Sequence, residues 1–248
     1  MRDGVLLGVD EARHMSCVKA WGRALYSELR KLMTLPAIRW AATATGAIAI
    51  IIVMSALQNK EEGQTFSFDE IAPTWTLAVQ IGFVAAGVIV AGSEHSTAQG
   101  ITTLLVTPVR TRLAAARLMA LTGTGLVAAS ILVGVSLAAC PTISTTALWA
   151  GGRTVAWLTG VLLLAAGLGE ALRSSIGALT AAVVLVILAP QLAVFLGDAA
   201  RWFPGQAGQI WVTATEPRCD IVAAGTISLA WTVAAQAAGV VRLLGTDA

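Results

Sequence analysis

The feature that most restricts the fold of this chain is a series of apolar runs separated by polar breaks. An α-helix of about 20 residues covers roughly 30 Å, the thickness of the hydrocarbon core of a bilayer. The bilayer offers no hydrogen-bonding partner to the backbone, so such runs must form helices. We therefore predict an all-α integral membrane protein with six transmembrane helices, at residues 38–57, 74–91, 113–139, 154–172, 176–196 and 221–244.

The composition agrees with a membrane protein. The chain is 56% hydrophobic and only 12% charged, with a mean hydropathy of +0.78, whereas soluble proteins carry about 25% charged residues. Residues 1–15 are polar and lack the apolar core of a signal peptide. We interpret them as a disordered tail, or Met15 as the native start. Residues 36–248 then form one transmembrane domain.

The cations predict the orientation. Most of the 16 Lys and Arg residues fall on the side of the predicted bundle that carries the amino terminus. Loops with an excess of Lys and Arg stay in the cytoplasm. We predict a multi-pass protein of the bacterial cytoplasmic membrane with both termini in the cytoplasm. The cations left outside are Lys60, Arg153, Arg201 and Arg218.

Residues 16–35 precede the first apolar run and have a different pattern. Their apolar residues fall on one helical face and most of their cations fall elsewhere. This pattern is typical of an amphipathic helix that lies in the membrane interface. It also fits a helix that packs on a soluble partner, and both interpretations can hold together. The apolar face consists of Val18, Trp21, Leu25, Leu29 and Leu32.

The most chemically mixed segment, residues 92–118, lies between the second and third runs. We predict that it turns back at the membrane surface and contains a short surface helix, capped by the hydroxyl of Ser93, Ser96 or Thr97, with a first turn that suits Glu94. Pro108 interrupts this helix. Glu94 and His95 could form an acid/base pair, but a hydrogen bond within a surface helix is the more ordinary interpretation.

Three stretches of the chain resemble the ABC-2 type permease family. In residues 92–112 the patterns Gly-x-Glu, Gly-Ile-x-Thr-Leu-Leu and Pro-x-Arg-x-Arg resemble the loop between the second and third membrane helices of these permeases. Ser-Glu-Leu-Arg-Lys-Leu, at residues 27–32, resembles the end of their connecting helix. Phe-Pro-Gly-Gln-Ala-Gly, at residues 203–208, is similar to their short re-entrant helices near the exit of the pathway. The resemblance extends over nearly the whole chain from residue 16 onwards.

The resemblance implies a transmembrane subunit of an ATP-binding-cassette exporter. Such a subunit pairs with a second permease copy, identical or related, and docks on separate ATPase subunits to move a hydrophobic or amphiphilic substrate out of the cytoplasm. His95 stands where the family often has an aromatic residue. The implied ATPase-coupling loop includes Gly92, Glu94, His95, Gly100, Thr103, Pro108, Arg110, Arg112 and Arg117. The implied connecting helix includes Trp21, Leu25, Glu28 and Lys31, and the exit-side re-entrant segment includes Trp202, Phe203, Pro204 and Gly205.

The sequence lacks the motifs of an enzyme. There is no Gly-x-x-x-x-Gly-Lys followed by Ser or Thr, so ATP and Mg²⁺ are expected on the partner ATPase and no cofactor on this chain. No Cys/His cluster has the spacing of a metal site. The runs carry no ionisable residue near their centres, which argues against an ion-coupled transporter. The alternative function is a non-transporting scaffold or sensor subunit of a membrane complex. Nothing points to nucleic acid.

Three local predictions concern packing and pairing. Glu170 and Arg173 have the spacing of an ion pair on a helix surface, although Glu170 could instead touch the ATPase. Cys140 and Cys219 fall at the outer ends of two spans and could pair, while two buried free thiols are the alternative. Small residues predicted to permit close helix packing are Gly82, Ala86, Gly123, Gly125, Ala165 and Gly169.

Overall fold

A computed structural model describes residues 21–59, 66–96, 110–213 and 218–245. Within these ranges the chain is helical apart from short connections, contains no β-strand, and has one isolated β-bridge, between Ser67 and Thr142. Residues 21–34 form α1. The other helices are α2 (Pro36–Gln58), α3 (Phe68–Ser96), α4 (Arg110–Ala139), α5 (Thr145–Leu172), α6 (Ser175–Gln191), α7 (Ala193–Trp202), α8 (Pro204–Thr213) and α9 (Arg218–Leu244).

The prediction of an all-α, multi-pass membrane protein is confirmed in its coarse form. Five helices, namely α2, α3, α4, α5 and α9, are long and apolar enough to cross a bilayer. The pair formed by α6 and α7 passes the same test together but is bent by 78° at the break between them. The described part of the chain therefore contains five helices that could span a membrane, or six if the bent pair is one span.

The long helices form a bundle around α5. They pack side by side, and α5 contacts α3, α4, α6 and α9. In the most apolar 18-residue stretch of α5, 56% of the residues are buried inside the protein. In the corresponding stretch of α2 the share is 17%, so α2 lies at the periphery. We call the end of the bundle that holds α1 and the end of α3 the α1 end, and the opposite end the far end.

The fourth span begins earlier than its sequence pattern predicted. Residues 145–153, which we expected in a polar break, form the first turns of α5. The Ser144 hydroxyl accepts a hydrogen bond of 2.9 Å from the backbone N–H of Ala147, so Ser144 caps the helix. Short hydroxyl residues look like a loop in the sequence, but here they form the start of a helix, and Arg153 lies inside it.

The second span also begins earlier, at Phe68 rather than residue 74. Phe68 is fully buried and meets Trp75 edge to face, with ring centroids 5.4 Å apart. Pro73 is the sixth residue of α3, so the helix forgoes one backbone hydrogen bond there, to the Asp69 carbonyl. Phe68, which the sequence pattern placed in the polar break before the second span, is therefore part of the core.

The turn between α5 and α6 is very short, as predicted. Arg173 adopts a left-handed conformation, with φ of 50°, and ends α5. The Ser174 hydroxyl then accepts a hydrogen bond of 3.1 Å from the backbone N–H of Gly177 and caps α6. The two helices therefore reverse direction within two residues at the α1 end.

The fifth predicted span, residues 176–196, is not a single straight helix. A π-helical turn over Val184–Leu188 is followed by Pro190 and by the 78° bend into α7. Proline and π-bulges are the usual causes of sharp helix kinks. Gly197, with φ of 53°, occupies a conformation that other residues rarely adopt, and the chain tightens there into a 3₁₀ turn. α8 follows directly after it.

Candidate functional site

The helix α1 is packed onto the α1 end of the bundle. Its buried residues, Ala24, Glu28 and Leu32, recur every four positions and so form one face. Leu32 belongs to a cluster with Val90 of α3 and Leu121 of α4. Because α1 contacts two spanning helices through side chains, a displacement of α1 would act directly on both.

The residues predicted for the connecting helix occupy different positions on α1. Trp21 and Leu25 are half-buried. Glu28 is only 4% exposed, and its carboxylate lies 2.9 Å from the Lys31 ammonium group. Glu28 thus belongs to the face that is turned into the bundle. The face that α1 presents outward carries Arg23, Tyr26, Arg30 and Met33.

The start of the predicted coupling loop is part of α3. The Ser93 hydroxyl donates to the Val90 carbonyl at 2.8 Å, and the helix continues to Ser96. The prediction that Ser93 caps a new surface helix is therefore wrong, because a hydroxyl that bonds back to its own helix can lie inside it. Gly92 lies against α6, since a Cβ at Gly92 would collide with the Ser175 hydroxyl.

Most of the coupling loop lies outside the described residues. Gly100, Thr103 and Pro108 fall in residues 97–109, which the structure does not describe. The backbones of Glu94 and His95 lie in the last turn of α3, and those of Arg110 and Arg112 lie in the first turn of α4. The side chains of these four residues are not among those described, so the prediction of an acid/base or hydrogen-bonded pair stays a prediction. Both helix termini lie at the α1 end, beside α1.

An ion pair joins α4 to α5 just inside this end. The Arg117 Nε atom lies 3.1 Å from a Glu170 carboxylate oxygen, and the two side chains are only 8% and 11% exposed. On α9, Gly239 leaves room for Glu170, because a Cβ there would lie 2.9 Å from the Glu170 Cβ. A salt bridge of this kind holds two spans in one register, and removing one partner would leave a buried charge.

Sequence reasoning placed Arg117 and Glu170 at helix ends but did not pair them. It matched Glu170 with Arg173, three residues away, or with the ATPase. The structure places the Glu170 carboxylate against Arg117 on another helix, and the pair with Arg173 stays a prediction. The available signal was that the two residues have opposite charges and lie at the same end of two antiparallel, consecutive spans. Local spacing is easier to read than this long-range relation.

The backbone of α5 packs closely against the backbones of α3 and α9 at glycine residues. A Cβ at Gly87 would lie 2.5 Å from the Leu162 carbonyl oxygen, and a Cβ at Gly167 would lie 2.6 Å from the Ala235 carbonyl carbon. Of the small residues predicted to permit packing, Gly169 meets Ala91 closely, whereas Gly123 has no heavy atom near the position of a Cβ. Small residues at these positions let the helix backbones approach each other closely.

The polar groups in the middle of the bundle are uncharged. Trp157 donates through Nε1 to the Gln80 side-chain oxygen at 3.0 Å, and Gln80 is 1% exposed. Nearer the α1 end, the Gln236 amide donates to the Leu163 carbonyl. These hydrogen bonds join α3 and α9 to α5. They also give partners to polar groups that would find none among lipid chains. Gln191 of α6, in contrast, is exposed.

The exit-side segment folds back against the bundle. Trp202 is 60% exposed, but its carbonyl accepts a hydrogen bond of 2.8 Å from Trp231 of α9. Pro204 is buried, and Gly205 lies so close to the Val186 carbonyl that a side chain there would clash. Phe203, between them, is half-buried. The segment therefore packs against both α6 and α9.

Cys140, directly after α4, is a buried free thiol. The side chain of Cys219 lies outside the described residues, but the predicted bond between the two is not formed, since Cys140 is free. Burial raises the pKa of the Cys140 thiol, and the nearby carboxylates of Asp69 and Glu70 raise it further. A thiol in this setting stays protonated at neutral pH and reacts slowly.

Comparisons with protein families, with curated proteins and with solved structures find no match. Within the part of the chain that the structure describes, no three His, Cys, Asp or Glu residues converge as metal ligands would.

Proposed function

We propose that this chain is the transmembrane permease subunit of an ATP-binding-cassette exporter in the bacterial cytoplasmic membrane. Two such subunits, identical or related, would pair and bind separate ATPase subunits that carry ATP and Mg²⁺. The substrate would be hydrophobic or amphiphilic, because the described spans carry few charged groups. The single observation that best supports this proposal is that α1 is packed against the ends of the spanning helices at the cation-rich end of the bundle.

The α1 end has the connections that a coupling device needs. A partner that pushes on α1 acts on α3 and α4 through the cluster around Leu32. A partner that pushes on the connection between α3 and α4 acts on the first turns of α4. The Arg117–Glu170 pair then passes the displacement of α4 to α5. The glycine contacts of α5 pass it to α3 and α9.

The far end supplies the other half of the proposed mechanism. We propose that α7 and α8 form a re-entrant hairpin near the exit of the pathway. This is supported by the 78° bend and by the contact of Gly205 with the Val186 carbonyl, which places the start of α8 beside the last turns of α6. The resemblance of residues 203–208 to the exit segment of ABC-2 type permeases supports the same assignment. Movement of α5 and α9 would shift this hairpin.

The direct test is reconstitution. The protein would be copurified with candidate ATPase subunits, starting with any ATPase found to be encoded by an adjacent reading frame, then incorporated into vesicles and assayed for ATP-dependent efflux. Copurification with efflux would support the exporter. Copurification of a stable complex that hydrolyses ATP and moves none of a panel of amphiphiles would favour the scaffold or sensor subunit. The absence of any ATPase partner would refute the proposal.

A second test addresses the coupling loop. If the Glu94 carboxylate binds a basic groove on the ATPase, Glu94→Ala should weaken ATPase binding by about 2 to 5 kcal/mol, the usual cost of truncating one partner of a buried charge pair at an interface. Asp220→Asn, at the exposed far-end start of α9, is the matched control and should leave binding unchanged. If Glu94→Ala retains full ATPase binding and transport, the proposed role of Glu94 is wrong.

A third test separates coupling from stability. Replacing both members of a buried ion pair by apolar residues is often neutral for stability. The double variant Arg117→Met with Glu170→Leu should therefore fold and bind the ATPase normally. If the pair transmits movement, this variant should hydrolyse ATP without matching efflux. Normal efflux by the double variant would remove the pair from the mechanism and leave it a packing feature only.

A further inference from the structure

A lateral groove runs along the bundle between α4 and α9, with α5 as its floor. It encloses about 550 Å³, within the roughly 300 to 1,000 Å³ of sites that hold small molecules. Its rims carry Leu126, Val222 and Leu229, whose side chains are 43%, 65% and 62% exposed. All three belong to helices that are able to cross a bilayer. The groove therefore opens sideways, where acyl chains surround the protein.

Most of the polar groups in the groove are already satisfied. The hydroxyls of Thr159, Thr226 and Ser228 donate to carbonyls of their own helices at 2.8 to 3.0 Å. The Thr232 hydroxyl donates to the Ser228 carbonyl at 3.0 Å. A hydroxyl that already donates its hydrogen bond to a backbone carbonyl has no donor left for a sugar or a nucleotide. The wall of the groove is consequently suited to an apolar chain.

Among the described residues that line the groove, Arg153 of α5 is a cation. Its Nε group bonds to the Trp149 carbonyl at 3.3 Å. Trp149 lies one helical turn nearer the far end and is 74% exposed, which is typical of an aromatic residue at the membrane–water interface. One turn is about 5.4 Å, so the Arg153 guanidinium can reach the level of lipid headgroups while its stem stays in the groove.

We propose that this groove binds an anionic phospholipid, with one acyl chain between α4 and α9 and the headgroup phosphate paired with Arg153. The charge complementarity is between one guanidinium and one phosphate, for which arginine is the preferred partner. The apolar length of the groove between Arg153 and Thr232 accommodates the chain. The proposal does not depend on the ATPase partner, so it can fail while the proposed function holds.

The test compares lipid retention by native mass spectrometry of the full chain released from mixed phosphatidylglycerol and phosphatidylethanolamine vesicles. Wild type should retain phosphatidylglycerol in preference. Arg153→Gln should lower that retention about fivefold, since one cation near a membrane surface contributes about 1 kcal/mol. Arg201→Gln is the matched control, because Arg201 lies on α7, outside the groove, and should change little.

A second variant tests the groove itself. Ala156 lines the groove and is exposed in it, so Ala156→Phe should fill the space and displace both lipids. Equal retention of the two lipids by wild type, no effect of Arg153→Gln, or an equal effect of Arg201→Gln would each overturn the proposal. If Ala156→Phe leaves lipid retention unchanged and instead splits a dimer, the groove is a subunit interface and the proposal is wrong.

Discussion

The variant Glu170→Gln would reveal how much the buried ion pair between α4 and α5 contributes to the stability of this bundle. The substitution keeps the shape of the side chain and removes its charge. Arg117 would then remain 8% exposed, without the carboxylate that lies 3.1 Å from it. The guanidinium of arginine keeps its charge in proteins, so nothing would offset the loss of the carboxylate's charge.

The size of the effect follows from burial. An exposed ion pair contributes about 0 to 1 kcal/mol, because water screens it. Breaking a buried pair by removing one partner costs about 3 to 5 kcal/mol. Both side chains here are about nine-tenths covered, so the larger range applies. For a chain of this size, each kcal/mol shifts Tm by about 2 to 4 °C, so we expect a loss on the order of 10 °C.

The assay is thermal unfolding of the purified protein in detergent, followed by circular dichroism and by a thiol-reactive dye. Arg39→Gln is the control, since Arg39 is an exposed cation near the same end, and it should shift Tm by no more than about 2 °C. The charge-swapped double variant Arg117→Glu with Glu170→Arg should recover much of the loss. If Glu170→Gln unfolds with the Tm of wild type, the pair is solvated and our account of how α4 and α5 are joined is wrong.

Three further predictions concern the topology, the Cys140 thiol and the packing of Gly167. Reporter fusions placed after Asn59 and after Gly245 should report opposite sides of the membrane, and the same side for both would refute the topology. Because burial and two nearby carboxylates raise the pKa of Cys140, alkylation of this thiol in the folded protein should be slow at pH 7 and should accelerate only at a higher pH than in the unfolded chain. A rate equal to that of the unfolded chain would contradict this. Gly167→Ala should destabilise the fold by about 1 to 3 kcal/mol, because its Cβ would meet the backbone of α9, whereas Gly152→Ala, which has open space, should have no comparable cost.

Part of the candidate site was visible in the sequence, and the rest was not. The polar segment between the second and third runs predicted that the ends of α3 and α4 would lie together, and they lie at the same end of the bundle. The sequence did not show that Glu28 faces inward, because a carboxylate on an amphipathic pattern is expected on the solvent side. Nor did it show that Glu170 pairs with Arg117, because that requires knowing which helices are neighbours.

The sequence alone determined the approximate positions of the long apolar helices. It predicted six spans, and the described residues contain five, or six if the bent pair of α6 and α7 is one span. Each span is decided by the transfer of its own side chains and backbone out of water, which depends on about 20 consecutive residues and little else. Tertiary structure decided that α5 lies at the centre, that α6 bends before α7, and that Arg117 and Glu170 meet. The spans are nearly equal in hydropathy, so their order in the bundle comes from close packing and from a few polar contacts between residues far apart in the chain.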